Sequence, residues 1–115
     1  TNTSLVTVCN PNNPTGTSLP TAALRSFCET VSEQATVLVD EAYIHYLQNW
    51  RGHTMAPLVG KGKNVLVTRT FSKIYGMAGL RMGFMLGPAQ LIQELEAKYT
   101  LGFPGNMPNS LSVAA

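Results

Sequence analysis

The chain has 115 residues, which is long enough for one domain with a core of its own. With 44% hydrophobic and 12% charged residues, the composition is that of a globular protein and excludes a disordered chain. The net charge of +2 with scattered basic residues excludes a nucleic-acid or anionic-membrane footprint, and no apolar run approaches the roughly 20 residues that span a bilayer.

Three short apolar runs rich in β-branched residues predict parallel strands that are buried on both faces. They cover residues 5–9, 36–39 and 64–68. A fourth strand at 82–86 follows after a link too short for a right-handed crossover, so it is predicted to be antiparallel or displaced. The predicted fold class is therefore α/β, with a mostly parallel sheet.

Helices are predicted between the strands. The first begins at a cap from Thr17 or Ser18 and ends near Val31, and its buried stripe is Leu24, Phe27, Cys28 and Val31. Residues 44–62 are predicted to be loop and short helix. A later helix covers residues 88–99, with Leu91, Ile92 and Leu95 facing inward, and a last one begins near Asn109.

A polar cluster follows each predicted parallel strand. The clusters are Asn-Pro-Asn-Asn-Pro-Thr-Gly at 10–16, Asp-Glu-Ala-Tyr at 40–43 and Thr-Phe-Ser-Lys at 70–73. Ligands of open α/β sheets bind beyond the carboxyl ends of the strands. We therefore expect the clusters to meet, and together they suit a cofactor with an aldehyde, a ring nitrogen and a phosphate.

Lys73 is the predicted attachment point of that cofactor. A lysine partly shielded from water loses its proton more readily and forms a Schiff base with an aldehyde, most commonly that of pyridoxal phosphate. The pyridine nitrogen of this cofactor needs an acidic partner, which Asp40 can supply. Asp40 could equally cap the turn at residues 42–43. Glu41 points the opposite way on a strand and is predicted to be structural.

The other candidate ligands each have an alternative role. Tyr43 and Asn13 are suited to a phenolate oxygen of the cofactor, or are a half-buried aromatic and a turn residue. Arg81 matches a phosphate bidentately, or pairs with a carboxylate elsewhere. Thr70 and Ser72 could donate hydroxyls to the same phosphate. Packing roles are predicted for Cys9 and Cys28, and surface or packing roles for His45 and His53, and no metal site is expected.

In this order, residues 10–16, 40–43, 72–73 and 79–83 resemble the class I/II, fold-type I aminotransferases, most closely the histidinol-phosphate branch. The resemblance covers about residues 5–115 and implies a three-layer pyridoxal-phosphate-binding large domain. It assigns Lys73 to the Schiff base and to proton transfer, Asp40 to the ring nitrogen, and Tyr43 with Asn13 to the ring hydroxyl. Arg81, Ser72 and Thr70 are assigned to the phosphate. His45 stands where that branch usually has an acidic residue, so the substrate is left open.

Residues 1–115 are expected to be the central part of that domain, without its N-terminal part and the small C-terminal domain. The resemblance implies a cytoplasmic homodimer that exchanges amino groups between an amino donor and a 2-oxo acid, and an isolated fragment that is inactive. Two alternatives remain: a pyridoxal-phosphate-dependent lyase or decarboxylase on the same scaffold, and the effector-binding domain of an aminotransferase-like transcription regulator.

Overall fold

The computed structural model describes residues 2–102, which contain a four-stranded sheet in the order β1–β2–β3–β4. Strands β1 (Leu5–Cys9), β2 (Thr36–Asp40) and β3 (Val65–Thr70) are parallel, and β4 (Gly83–Leu86) runs antiparallel to β3. The predicted α/β class, the three parallel strands and the reversed fourth strand are confirmed. The structure extends β3 to Thr70, two residues beyond the predicted end.

The helices are α1 (Thr21–Val31), α2 (Trp50–His53), α3 (Ala56–Gly60) and α4 (Ala89–Gly102). Short 3₁₀ turns cover Ile44–Tyr46 and Ala78–Leu80. The predicted cap from Thr17 or Ser18 is wrong, because α1 begins after Pro20 with no side-chain cap. Thr17 belongs instead to the preceding loop, where its hydroxyl lies 2.8 Å from that of Thr15. The helix predicted near Asn109 lies outside the described residues.

One face of the sheet carries the main core. Alternate residues of β2 and β3 are fully buried there, as the two-residue period of a strand requires: Val37, Val39, Val65 and Val67. Leu24 and Cys28 of α1 pack on them together with Leu58 of α3 and Met55 just before it. Phe27 is 41% exposed rather than buried, because it lies on the flank of the α1 face centred on Leu24 and Cys28.

Helix α4 begins on the other face. Leu66 alternates with the core valines and is only 6% exposed, and a Cβ placed on Gly87 would overlap its side chain and lie 3.3 Å from Ile92. The chain at Gly87 therefore packs closely on Leu66, and a larger residue there would displace the end of the leucine side chain. Leu91 and Ile92 are half-buried, as expected, but Leu95 is 40% exposed because it lines an open apolar groove with Phe84 and Met85. Helices thus lie on both faces of the sheet, as a three-layer fold requires.

Candidate active site

Strand register brings the three polar clusters together. Cys9 pairs with Asp40 across β1 and β2, and Asp40 pairs with Thr68 across β2 and β3. Buried Asn10 links the first cluster to the second, because its N–H donates to the Asp40 carbonyl at 3.0 Å and its side-chain oxygen accepts from Leu19 N–H at 2.8 Å. The loop after β1 is therefore held at the carboxyl end of the sheet.

Asp40 is half-buried at this end of the sheet. Its Oδ1 accepts hydrogen bonds from the N–H of Ala42 at 3.0 Å and from the hydroxyl of Thr68 at 3.2 Å. The carboxylate therefore does cap the turn, as one of the two interpretations expects. Both donors hold the same oxygen, so they also fix the orientation of the carboxyl group.

Tyr43 joins the other two clusters. Asn13 Nδ2 donates to the Tyr43 hydroxyl at 3.2 Å, although the two residues are 30 apart in sequence. The Nζ of Lys73 lies 5.1 Å from the centroid of the Tyr43 ring, in the geometry of a cation–π contact. An amide, a phenol and an amine from three separate loops thus meet at one place. We call Asn13, Asp40, Tyr43, Thr68 and Lys73 the Asp40 edge.

Lys73 is exposed in the structure, which differs from the expected partial shielding. Its loop leaves the sheet after Thr70 and returns at Gly83, so the residues between them project beyond the strand ends. The loop closes on itself through Phe71 N–H to the Met82 carbonyl at 3.2 Å.

The candidate phosphate ligands lie at the two ends of the Lys73 loop. The hydroxyl of Thr70 accepts from Ser72 N–H at 3.0 Å and donates to the Met82 carbonyl at 3.3 Å. Arg81 has a left-handed backbone, with φ 53° and ψ 43°, and its exposed guanidinium donates to the Ala78 carbonyl at 2.9 Å. A non-glycine residue in this conformation costs about 1–2 kcal/mol, and such strain is common at ligand sites.

On the opposite side, Glu41 forms a buried ion pair that the sequence analysis missed. Its carboxylate accepts from Arg69 Nε at 3.0 Å and Nη2 at 2.9 Å, from the Thr54 hydroxyl, and from Met55 N–H at 2.7 Å. We call Glu41, Thr54, Met55 and Arg69 the Glu41 cluster. Sequence reasoning expected a structural role for Glu41 but did not find its partners. Arg69 could have indicated the ion pair. It directly follows Thr68 as Glu41 directly follows Asp40, so the register that pairs Asp40 with Thr68 also brings Arg69 next to Glu41.

An aromatic stack continues from this cluster toward the Lys73 loop. Arg69 lies over the Trp50 ring at 4.9 Å, and His45 packs edge-on between Trp50 at 4.6 Å and Tyr75 at 5.4 Å. Burial, and next the positive charge of Arg69, lower the pKa of His45 from its ordinary 6.5, so the ring is neutral at pH 7. The expected packing role of His45 is therefore realised. His53 also has a partner within the fold, because its Nδ1 lies 2.6 Å from the Thr21 hydroxyl oxygen.

The two cysteines are also packing groups. Cys28 is fully buried, and burial raises the pKa of its thiol to about 11, with the charge of Glu41 adding to the effect. Cys9 is half-buried and its Sγ contacts the Pro11 carbonyl at 3.4 Å. Within residues 2–102, no group of three or more histidine, cysteine or acidic side chains could hold a metal ion. None of the helices in that range is long and apolar enough to cross a membrane.

A cleft of about 350 Å³ opens beside the Tyr43–Asn13 pair. Uncharged residues line it, including Tyr46, which is 59% exposed and whose ring lies 6.1 Å from that of Tyr43. The remaining lining residues are Pro11, Asn12, Pro14, Gly16 and Leu47. The cleft therefore provides space for a ligand directly next to the phenol and the amide of the Asp40 edge.

Taken together, these features define an α/β protein with a ligand site beyond the carboxyl ends of parallel strands. The chain belongs to the aminotransferase class I and II family, whose sequence model matches residues 1–105. It is 46% identical over 94 residues to a histidinol-phosphate aminotransferase 2 from Bacillus thuringiensis subsp. konkukian, covering 82% of this chain and 26% of that protein. It is 43% identical over 113 residues to an aromatic amino acid aminotransferase from Corynebacterium jeikeium, covering 98% of this chain and 29% of that protein.

A comparison with a solved structure also places the chain among aminotransferases. The histidinol-phosphate aminotransferase from Sinorhizobium meliloti, in complex with pyridoxal-5'-phosphate, superposes with a TM-score of 0.67 at 33% identity, covering 78% of this chain and 25% of that one. The chain spans about a quarter of the length of the curated relatives it matches. The expected family and fold type are confirmed by these comparisons.

Proposed function

We propose that the chain is the central part of the pyridoxal-phosphate-binding large domain of an aminotransferase. The complete protein would move an amino group between an amino acid or amino-alcohol phosphate and a 2-oxo acid, as a homodimer in the cytoplasm. The observation that carries the proposal is the convergence of Asn13 and Lys73 on Tyr43, which lies on the turn that the Asp40 carboxylate caps, since these loops are separated in sequence but adjacent in space. Membership of the family supports the same activity.

The donor set fits the cofactor group by group. Lys73 would hold the aldehyde carbon covalently, and Asp40 would face the ring nitrogen with the oxygen that Ala42 and Thr68 leave free. Tyr43 and Asn13 already share a hydrogen bond, so a ring hydroxyl placed beside them gains two donors fixed relative to each other. When bound, pyridoxal phosphate supplies an aldehyde that takes up the donor amine and a protonated ring that withdraws electrons from the α-carbon.

Phosphate binding is assigned to the loop that carries Lys73. The Arg81 guanidinium is exposed at the end of that loop and offers a planar fork of donors. Ser72 is one residue from Lys73, and Thr70 is at the strand end before it. One phosphate would therefore draw both ends of the loop together and fix the position of the amine between them.

The chain's own groups would then handle the proton. The Lys73 amine, once released from the aldehyde, would take the proton from the substrate α-carbon and return it to the cofactor carbon. Asp40 would keep a proton on the ring nitrogen, because a neighbouring negative charge favours the protonated form. Tyr43 would donate to the ring hydroxyl oxygen and stabilise its negative charge.

The test is cofactor absorbance in the full-length protein. Lys73→Ala should remove the visible absorbance of the covalently held cofactor, whereas Asp40→Asn should keep it and lose most of the turnover. Lys63→Ala is the matched control, since the Nζ of Lys63 pairs with Glu33 at 3.4 Å and the residue carries no assigned role. Unchanged absorbance in the Lys73 variant would refute the proposal.

A further inference from the structure

The Glu41 cluster lies on the side of the sheet end that the proposed chemistry does not use. The Glu41 side chain is 1% exposed and that of Arg69 is 9% exposed. Thr54 bonds to both carboxylate oxygens, at 3.0 and 2.8 Å, and also accepts from Arg69 Nη2 at 2.7 Å. The carboxylate thus receives donors on both oxygens, and the ion pair is almost entirely removed from water.

Stability alone does not explain a buried ion pair of this kind. Replacing such a pair with well-packed apolar residues is often neutral or stabilising, because two charges must lose their hydration to form it. A charge pair in this position therefore calls for a role that depends on charge. Its place in the chain indicates which one.

Glu41 and Arg69 each directly follow a residue of the Asp40 edge. Asp40 and Thr68 are register partners and share a hydrogen bond at 3.2 Å, and the next residues along the two strands are Glu41 and Arg69. Because side chains alternate along a strand, the two pairs project to opposite faces. Without Glu41, the nearest available carboxylate for Arg69 among the described residues of β2 and β3 would be Asp40.

Arg69 is the group that balances the charge of Glu41. Two further titratable groups near Glu41 are His45 and Cys28, since the charge of Glu41 acts on the pKa of both. The pKa of His45 is lowered by burial and that of Cys28 is raised to about 11 by burial, so both are neutral at pH 7. Removing the Glu41 charge would therefore leave an unbalanced guanidinium close to the Asp40 edge.

We propose that Glu41 is a positioning residue of the site, which holds Arg69 on the far side of the sheet and cancels its charge, so that no uncompensated cation offsets the field of Asp40 at the cofactor ring. This inference rests on the proposed function. It assigns a charge-controlling task to a pair that does not contact the cofactor.

The experiment is a pH titration of the bound cofactor's absorbance in the full-length protein. Glu41→Gln keeps the acceptor for Thr54 and Met55 but loses the charge, so the titration midpoint should move to lower pH by about one pH unit. Arg69→Gln should move it to higher pH, because Glu41 is then unbalanced. The double variant Glu41→Gln with Arg69→Gln should titrate as wild type, since both charges are gone.

Two controls separate charge from folding. Glu33→Gln removes one carboxylate from an exposed pair, 3.4 Å from Lys63, and should leave the midpoint unchanged. Thermal melting shows whether each variant is folded, and a merely structural role would lower melting without opposite midpoint shifts. If Glu41→Gln does not fold, Arg69→Gln and the double variant carry the test.

The inference is overturned if folded Glu41→Gln titrates as wild type, or if Arg69→Gln shifts the midpoint in the same direction. Failure of the proposed function would be visible earlier, because the wild-type protein would then hold no cofactor on Lys73. A wild-type protein that titrates normally, with variants that do not shift, would refute only the role of Glu41.

Discussion

Asp40 and Glu41 are neighbours in the chain, yet they differ in burial and in how many hydrogen-bond donors surround each carboxylate. The Glu41 cluster is closed: its carboxylate is 1% exposed and receives donors from Arg69, Thr54 and Met55. The Asp40 edge is open: Asp40 is half-buried, and Asn13 and Lys73 are exposed beside it. A saturated polar cluster has no donor or acceptor left for a ligand, whereas polar groups that converge while still exposed are available to one.

Asp40→Asn in the full-length protein is expected to show the largest effect, with a loss of turnover at the Asp40 edge and no loss of stability. The amide oxygen still accepts from Ala42 and Thr68, so the turn and the melting temperature should be retained. Turnover should fall by about 10²–10³-fold, because a neutral group does not keep the proton on the ring nitrogen. Steady-state kinetics measure the loss, and a fall of less than about tenfold would remove Asp40 from the proposed role.

Arg69→Ala should show the reverse pattern, with a large effect on folding. It leaves the buried Glu41 carboxylate without its cation, and breaking one partner of a buried pair costs about 3–5 kcal/mol. Denaturant unfolding of the full-length protein measures this cost. Arg51→Ala is the matched control, because Arg51 also lies over Trp50, at 4.8 Å, but is exposed, so its removal should cost about 0.5 kcal/mol or less. Equal stability of the two variants would contradict a closed Glu41 cluster.

Tyr43→Phe tests the part that the Tyr43 hydroxyl plays in the Asp40 edge. It removes the hydroxyl that bonds to Asn13 at 3.2 Å and keeps the ring beside Lys73. One lost hydrogen bond is worth about 0.5–1.5 kcal/mol, so turnover should fall by roughly 2–12-fold. Tyr46→Phe is the control, since Tyr46 lines the cleft without an assigned hydrogen bond to the site. The idea is wrong if the two variants lose the same amount.

The smallest effect is expected from acid titration of His45. Its pKa is lowered from 6.5 by burial and then by Arg69, so the folded state binds the proton less readily than the unfolded chain. The contribution of His45 to the free energy of unfolding is therefore constant above pH 6.5. The free energy of unfolding falls as the pH drops from 6.5 toward the lowered pKa of the folded state. NMR of the ring should give a midpoint below 6.5, and His45→Asn should remove part of the acid sensitivity. A midpoint above 6.5 would contradict burial of the ring beside the positive charge of Arg69.

Much of the fold and of the Asp40 edge could be predicted because their signals are local. Short apolar runs rich in β-branched residues located β1, β2 and β3, and polar residues directly after them predicted the meeting of Asn13, Asp40, Tyr43 and Lys73. The roles of those residues in binding a cofactor remain predictions. Thr68 was missed because a threonine within a strand has no pattern of its own.

Other features depend on contacts that no local pattern encodes. The partners of Glu41 are 13 to 28 residues away, and only the strand register and the turn before α3 bring them together. Exposure of Phe27 and Leu95 depends on the width of the packed face rather than on helical periodicity. The cap of α1 was misassigned because Thr17 is used by the loop that carries Asn13.

The most direct test of the central claim is borohydride reduction of the cofactor-loaded full-length protein, followed by peptide mapping. Covalent label should be found on Lys73, the lysine beside Tyr43, and not on Lys61 or Lys63, which pair with Glu29 and Glu33 on the surface. Label on another lysine, with Lys73 unmodified, would contradict the account of the open side.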